Sequence, residues 1–417
     1  MRGVIWLVVL FVVAVVAATT LGTNDGLVTV YFSRWRIELS LNLFVLLVVG
    51  VCFVILTASR TLEAVFSLPR RAHEWRALQR ERAAYRALRD ALAEFLAARY
   101  SRAYKSAERA LALQDDTEFL ASDIDFRLLA GLLVTSSLHR LQDPGRRDEA
   151  MRRLQPLIAI AGPRPAAEGA RLMAAEWTLD DRDAPRALEL LSQLPPGLGR
   201  RTQALRLKLQ AARLARQPVE AMQTARLLAK HQAFSEVAAK SLLRTLAIQV
   251  LDAARDADQL RRQWQELEPT DRRDAAVASR AAMRAASFGA HQEARLWLRP
   301  LWDRLGDLSV EDRAQVASAL CDSVTGQGPD LGDWLPKVEA AMTAYPSDPV
   351  IGVAGGLVMA ERGLWGKARR PLEHAANATA LDPRLRRRAW LELARLGREE
   401  GNLEAATRCV QRAAEIP

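Results

Sequence analysis

Cysteine, histidine and aromatic side chains are scarce in this 417-residue chain, and each scarcity removes a class of function. Its three cysteines, Cys52, Cys321 and Cys409, make no CxxC and no close pair, which excludes a disulfide scaffold and a zinc-ribbon spacing. The five histidines (His73, His139, His231, His291, His374) never stand at i, i+4 or beside a cysteine, whereas a metal site needs converging ligands. No glycine-rich loop follows a strand pattern, so no phosphate cradle is indicated. Asp180 with Asp181, and Asp123 with Asp125, occupy turn-like positions suited to helix caps rather than proton transfer. No catalytic, cofactor or metal residue is assigned, and the chain is expected not to be an enzyme.

Apolar residues are plentiful at 50% while aromatics make up 6%, the balance of an Ala- and Leu-rich helical chain, and the length is large for one compact core. The net charge of +10 would invite a nucleic-acid partner if it were spread over the chain. It is not: residues 60–110 carry twelve Lys and Arg against six acids, residues 1–59 hold +1, and the remainder holds only +3. A basic zone so confined needs a local explanation, and no nucleic-acid partner is expected.

The preceding sequence supplies that explanation. Two runs without charge, 3–24 and 39–59, are each long enough as a helix to cross a hydrocarbon core of about 30 Å. They predict a transmembrane hairpin over 1–59, with spans at about 4–22 and 40–58 and an external loop at 25–38. The apolar run of the first exceeds the core of a cleavable signal peptide. Arg60, Arg70, Arg71 and Arg76 then place both chain ends in the cytoplasm by the positive-inside rule and bring the segment 60–84 close to anionic lipid. The loop mixes β-branched and aromatic residues, which suggests a short β-hairpin at the membrane surface with Tyr31 and Trp35 as interfacial anchors.

After Pro69 the apolar residues Trp75, Leu78, Tyr85, Leu88, Leu92 and Phe95 recur three to four apart, save for one skipped turn near Arg82, predicting a helix that leads into a repeat array over 85–417. In that array an anchor followed by apolar residues at +4 and +7 recurs at Ala103, Ala150, Ala187, Ala221, Ala257, Ala294, Trp334, Ala368 and Ala406, with Arg261 the one polar exception. Glycine stands five residues before four anchors (Gly145, Gly289, Gly363, Gly401), where a left-handed residue would join two helices. Pro269, Pro346, Pro383 and Pro417 are read as terminators of the unit. Such hairpins cannot bury their apolar faces alone and must stack.

Trp390, Leu393, Ala394, Gly401, Ala406, Val410, Ala413 and Pro417 resemble a tetratricopeptide repeat, and Gly363, Ala368, Leu372 and Ala375 resemble the copy before it. The expected fold is therefore all-α: a two-helix transmembrane hairpin followed by a right-handed α-solenoid. If the last repeat follows that family, Arg388, Arg395 and Arg398 line a protein-binding groove.

Trp35-Arg36-Ile37-Glu38-Leu39-Ser40-Leu41, together with Pro69, Trp75 and the stretch Ala91 to Ala110, resembles the proteobacterial HemY family. One departure is Ala98 before Arg99 and Tyr100, where such families favour glycine. The resemblance implies a multi-pass inner-membrane scaffold, distinct from the flavoprotein oxidase that shares the name, whose repeats gather the late enzymes of haem (porphyrin) biosynthesis. It implies protein and lipid partners and no resident cofactor; direct haem or porphyrin binding would need a positioned axial ligand, and none is distinguishable. Two other readings stay open: a membrane-anchored tetratricopeptide adaptor in lipopolysaccharide or envelope assembly, and a periplasmic repeat protein.

Overall fold

The computed structural model describes residues 26–32, 34–324 and 331–416, with the side chains of 60–74 and of 118–119 excepted. The first predicted span, at 4–22, lies outside the described residues, as do Pro417 and the side chains of Arg60, Arg70 and Arg71. The backbone divides into two compact units, Met1–Ala167 and Glu168–Pro417.

The first unit opens with a two-stranded antiparallel hairpin, β1 (Leu27–Phe32) and β2 (Trp35–Ser40), so the chain is not wholly α-helical. Ser40 closes β2 and also caps the helix that follows, its hydroxyl accepting from the Leu43 N–H at 3.4 Å. That helix, α1 (Leu41–Leu96), is 56 residues long, about 84 Å at 1.5 Å per residue. Its first part, Leu41–Ser59, is apolar enough to cross a membrane, and none of its residues is buried in the protein. The helix runs on through the basic segment instead of starting after Pro69.

The far end of α1 packs against α2 (Tyr100–Asp115), which packs in turn on α3 (Ile124–Arg140), itself paired with α4 (Pro144–Ala161). The buried stripe of α1 is Ala84, Ala87 and Ala91, set against Ala103, Ala107 and Ala110 of α2. The predicted large residues Trp75, Leu78, Tyr85 and Leu92 remain 46–62% exposed. Alanine wins the contact because two helix backbones approach closely only where both contribute small side chains, which leaves the bulkier residues to flank the seam.

Seven further helix pairs follow, the first opening at the boundary of the two units: α5 (Pro165–Asp180) and α6 (Ala184–Ser192), α7 (Thr202–Leu214) and α8 (Pro218–Lys230), α9 (Glu236–Asp252) and α10 (Ala257–Glu266). Next come α11 (Ala275–Ser287) and α12 (His291–Trp302), α13 (Val310–Ser323) and α14 (Leu331–Ala344), α15 (Pro349–Glu361) and α16 (Trp365–Asn377), α17 (Pro383–Glu399) and α18 (Leu403–Ala414). From α9 onward each odd helix packs on the next odd helix, and α8, α12, α14 and α16 pack on the odd helix that follows them. One apolar cluster therefore runs unbroken from Leu205 to Ile416. This is the arrangement of tetratricopeptide-like helical hairpins.

All nine anchors fall in second helices, α2 to α18, but two are out of register. Ala257 is half-buried; the inward residues of α10 and its exit are Leu260, Trp264 and Leu267, each at most 7% exposed, which turns Arg261 outward and removes the exception. In α4 the half-buried Ala150 gives way to Arg147, whose side chain is buried. In α4 the corrected register follows the backbone, as it does in six other pairs. Five residues before the inward anchor the chain is left-handed at Ala98, Gln142, Arg182, Arg216, Gly289, Gly363 and Gly401, with φ between 54° and 79°. The residue after each donates its N–H back to a carbonyl five positions earlier, as Leu364 does to Met359 at 2.9 Å. Gly145 is not one of them: it lies in the first turn of α4. The prolines also act differently from expectation. Pro269 and Pro383 open the following helix at its first turn, where a missing N–H costs nothing, and Pro346 sits in a turn.

Candidate functional site

The odd helices α13, α15 and α17 lie side by side, so their outward residues form one continuous face. Sequence alone selects α17 for this face, and its helical spacing explains why. Arg384, Arg388, Leu391, Arg395 and Arg398 follow one another at intervals of three and four and form one stripe. The opposite stripe, Leu385, Ala389, Trp390, Leu393, Ala394, Leu396 and Gly397, is buried. Leu391 is 46% exposed amid the arginines.

The three predicted groove arginines have different surroundings. Arg388 reaches across to α13, donating to Asp322 Oδ1 at 3.2 Å and to the Val324 carbonyl at 3.1 Å. Arg395 bridges to α15 through Glu361 at 3.2 Å and pairs with Glu392 on its own helix at 2.5 Å. Arg398 is exposed, and among the described residues no ion pair involves it. Two of the three therefore stitch the face together, while Arg398 stands outward beside Leu391. Burial raises the Glu392 carboxyl above its ordinary value in spite of the Arg395 guanidinium beside it.

Sequence reasoning missed the acids that hold this face, Asp322, Glu361 and Glu392. It also missed a recurring junction in which an aspartate at a helix start takes an arginine from another helix. Asp274 caps Ala276 and Val277 of α11 and receives Arg244 from α9 at 2.7 Å, which raises the Arg244 value mainly through that hydrogen bond. Asp348 caps α15 and receives Arg313 from α13 at 3.7 Å. A usable signal existed for the caps but not for the arginines: Asp143-Pro144, Asp348-Pro349 and Asp382-Pro383 each put a capping acid before a first-turn proline.

The membrane-interface residues separate as well. Tyr31 and Trp35 are 72% and 75% exposed but point to opposite faces of the hairpin, because Tyr31 pairs with Arg36 while Trp35 pairs with Phe32. Arg76 is exposed on α1. Among the described residues no group of three or more His, Cys, Asp and Glu could hold a metal ion. Cys321 is buried and its thiol is pushed up to about 12 by loss of solvation.

Residues 26–122 match the family described as HemY protein N-terminus. Over this region the chain is similar to the HemY family, as its residues led us to expect. The HemY-type segment begins with the hairpin, takes in the whole of α1 and ends just after the first helix pair. The left-handed residue of that pair is Ala98, at φ 58°, the place where glycine was expected of the family. No curated protein sequence matches the chain. Solved structures similar to it include the APC/C hetero-tetramer Cut9-Hcn1, at 14% identity over 78% of this chain and 65% of that one, with a TM-score of 0.28. Naa15/Naa10 bound to HypK-THB aligns at 13% identity over 77% of this chain and 56% of that one, with a TM-score of 0.25. The TPR domain of P58(IPK) aligns at 12% identity over 80% of this chain and 99% of that one, with a TM-score of 0.21. The chain thus spans less than two thirds of the first two.

Proposed function

We propose that the protein is a non-catalytic adaptor of the bacterial inner membrane, passing the bilayer twice with both ends in the cytoplasm, whose helix pairs hold late enzymes of haem biosynthesis in a groove. The observation that carries the adaptor reading is the face of α13, α15 and α17: a continuous surface braced by its own ion pairs, with Leu391 and Arg398 left outward. A braced face keeps its shape before a partner arrives, so little ordering cost is added on binding. The haem assignment rests on the HemY-type match of residues 26–122 and on nothing in the groove itself. The anchoring reading is supported by Leu41–Ser59, which is 19 residues long, apolar and unburied.

A photo-crosslinking residue placed at Leu391 or Arg398 in intact membranes is expected to capture late porphyrin enzymes. Capture of envelope-assembly proteins instead, with porphyrin pools unchanged on deletion of the gene, would overturn the haem assignment in favour of the envelope adaptor. An active alkaline phosphatase fused at the C-terminus would overturn the orientation.

A further inference from the structure

The register of the hairpin sorts its side chains onto two faces, with Leu27 the one exposed aliphatic residue on the polar side. Val28 pairs with Leu39, Val30 with Ile37 and Phe32 with Trp35, so all six lie on one face. The other face holds Leu27 with Ser40, Thr29 with Glu38 and Tyr31 with Arg36. Nearest the helix, Val28 and Leu39 are half-buried, whereas Val30, Phe32, Trp35 and Ile37 are 37%, 73%, 75% and 48% exposed. The polar face is already satisfied within itself: Arg36 pairs with Glu38 at 2.8 Å and lies 5.9 Å from the centre of the Tyr31 ring.

We propose that the hairpin lies flat in the membrane interface, with Val30, Phe32, Trp35 and Ile37 among lipid and with Thr29, Tyr31, Arg36 and Glu38 turned to water. The inference rests on the reading of Leu41–Ser59 as a membrane span. Continuity names the occupant. No linker separates strand from span: Ser40 ends β2 and caps α1, and the Leu41 N–H donates to the Gly26 carbonyl at 2.8 Å, tying both strand ends to the start of the apolar helix. Strands of six residues reach about 20 Å, so the hairpin's tip can lie no farther than that from the start of the apolar helix. A two-stranded hairpin is marginal alone in water and needs a further apolar layer, which the interface supplies. Exposed Trp and Phe on the apolar side suit that layer, since aromatic rings gather at the membrane boundary.

The test uses the full-length chain with its native cysteines replaced, reconstituted in vesicles of phosphatidylethanolamine and phosphatidylglycerol containing spin-labelled lipid. Single cysteines are placed by Val30→Cys, Phe32→Cys and Ile37→Cys on one face and Thr29→Cys, Tyr31→Cys and Glu38→Cys on the other. Each carries an environment-sensitive dye. The expected result alternates along the strands: blue-shifted, lipid-quenched emission on the first set and water-like, unquenched emission on the second. Equal quenching of both sets would overturn the proposal, and so would unquenched apolar-face positions that instead form disulfide-linked dimers, which would assign the face to a second copy. Ile55→Cys separates the two readings: if it too is unquenched, the span itself has failed, whereas a quenched Ile55→Cys beside a uniform hairpin refutes only the hairpin's placement.

Discussion

The left-handed turn between paired helices can be tested at Gly363 and Arg216. At Gly363, φ is 73°, and an added Cβ would have no atom within 4 Å, so Gly363→Ala changes backbone conformation without changing contacts. A non-glycine residue there costs roughly 1–2 kcal/mol in the fold, offset in part by about 0.5–1 kcal/mol of chain entropy that alanine no longer loses on folding. The net loss is about 1 kcal/mol. Arg216 gives the reverse experiment: it is exposed, stands at φ 54°, and Arg216→Gly relieves the same strain. Because a repeat array need not unfold in one step, the readout is local amide exchange, followed by mass spectrometry across 355–370 and across 208–222. Gly363→Ala is expected to speed exchange of the Leu364 amide, which bonds Met359 at 2.9 Å, by about fivefold, and Arg216→Gly to slow that of Gln217 by a similar or smaller factor. If both substitutions leave exchange unchanged, the turn conformation does not govern pairing. Gly356→Ala is the control for a different mechanism: its Cβ would overlap Leu372, so it destabilises by overpacking, at a cost of about 1–3 kcal/mol.

Other consequences are equally direct. In α10, Leu260→Ala should cost about 2–5 kcal/mol in local exchange and Trp264→Ala about 3–5, the latter also breaking a stack on Trp297 at 4.9 Å, while Ala257→Ser stays within about 0.5 kcal/mol. The opposite order would restore the register anchored on Ala257. His291 is held below its ordinary 6.5 by burial first and then by Arg295 and Arg388. A depressed value favours the neutral ring in the fold, so this contribution is present above pH 6.5 and is lost as pH falls through the folded value. Denaturant titrations at successive pH values should show that loss in the native chain and not in His291→Gln; identical profiles would refute it. Cys321, buried and pushed up to about 12, should resist maleimide at pH 7.5 until the chain is unfolded, and rapid labelling of the folded protein would contradict its burial.

How far the sequence could be read is clearest where periodicity and geometry meet. The apolar repeat located all nine second helices, because burial of a helix face imposes its period on the sequence. It misplaced two anchors: in α10 the polar Arg261 at +4 of the Ala257 frame already marked the slip, since Leu260, Trp264 and Leu267 are apolar throughout, whereas in α4 the inward residue is Arg147, which no apolar pattern could have found. Glycine marked three of seven left-handed turns; Ala98, Gln142, Arg182 and Arg216 adopt the same conformation under the constraint of packed flanking helices, so composition underreports it. At the candidate groove, helical spacing picked out Arg388, Arg395 and Arg398, but their partners Asp322 and Glu361 are dozens of residues away in the chain.

What the sequence determined by itself is local: where helices run, which stretch is apolar enough for lipid, and that a hairpin precedes it. The tertiary structure decided everything that depends on a second element. It made Ala84, Ala87 and Ala91 the inner seam of α1 in place of the larger residues, tied two groove arginines into ion pairs and left Arg398 outward. It also set Tyr31 and Trp35 on opposite faces, because strand register is a relation between two segments and side chains alternate about it. Periodicity belongs to one chain segment; contact belongs to two, and only folding brings the second one near.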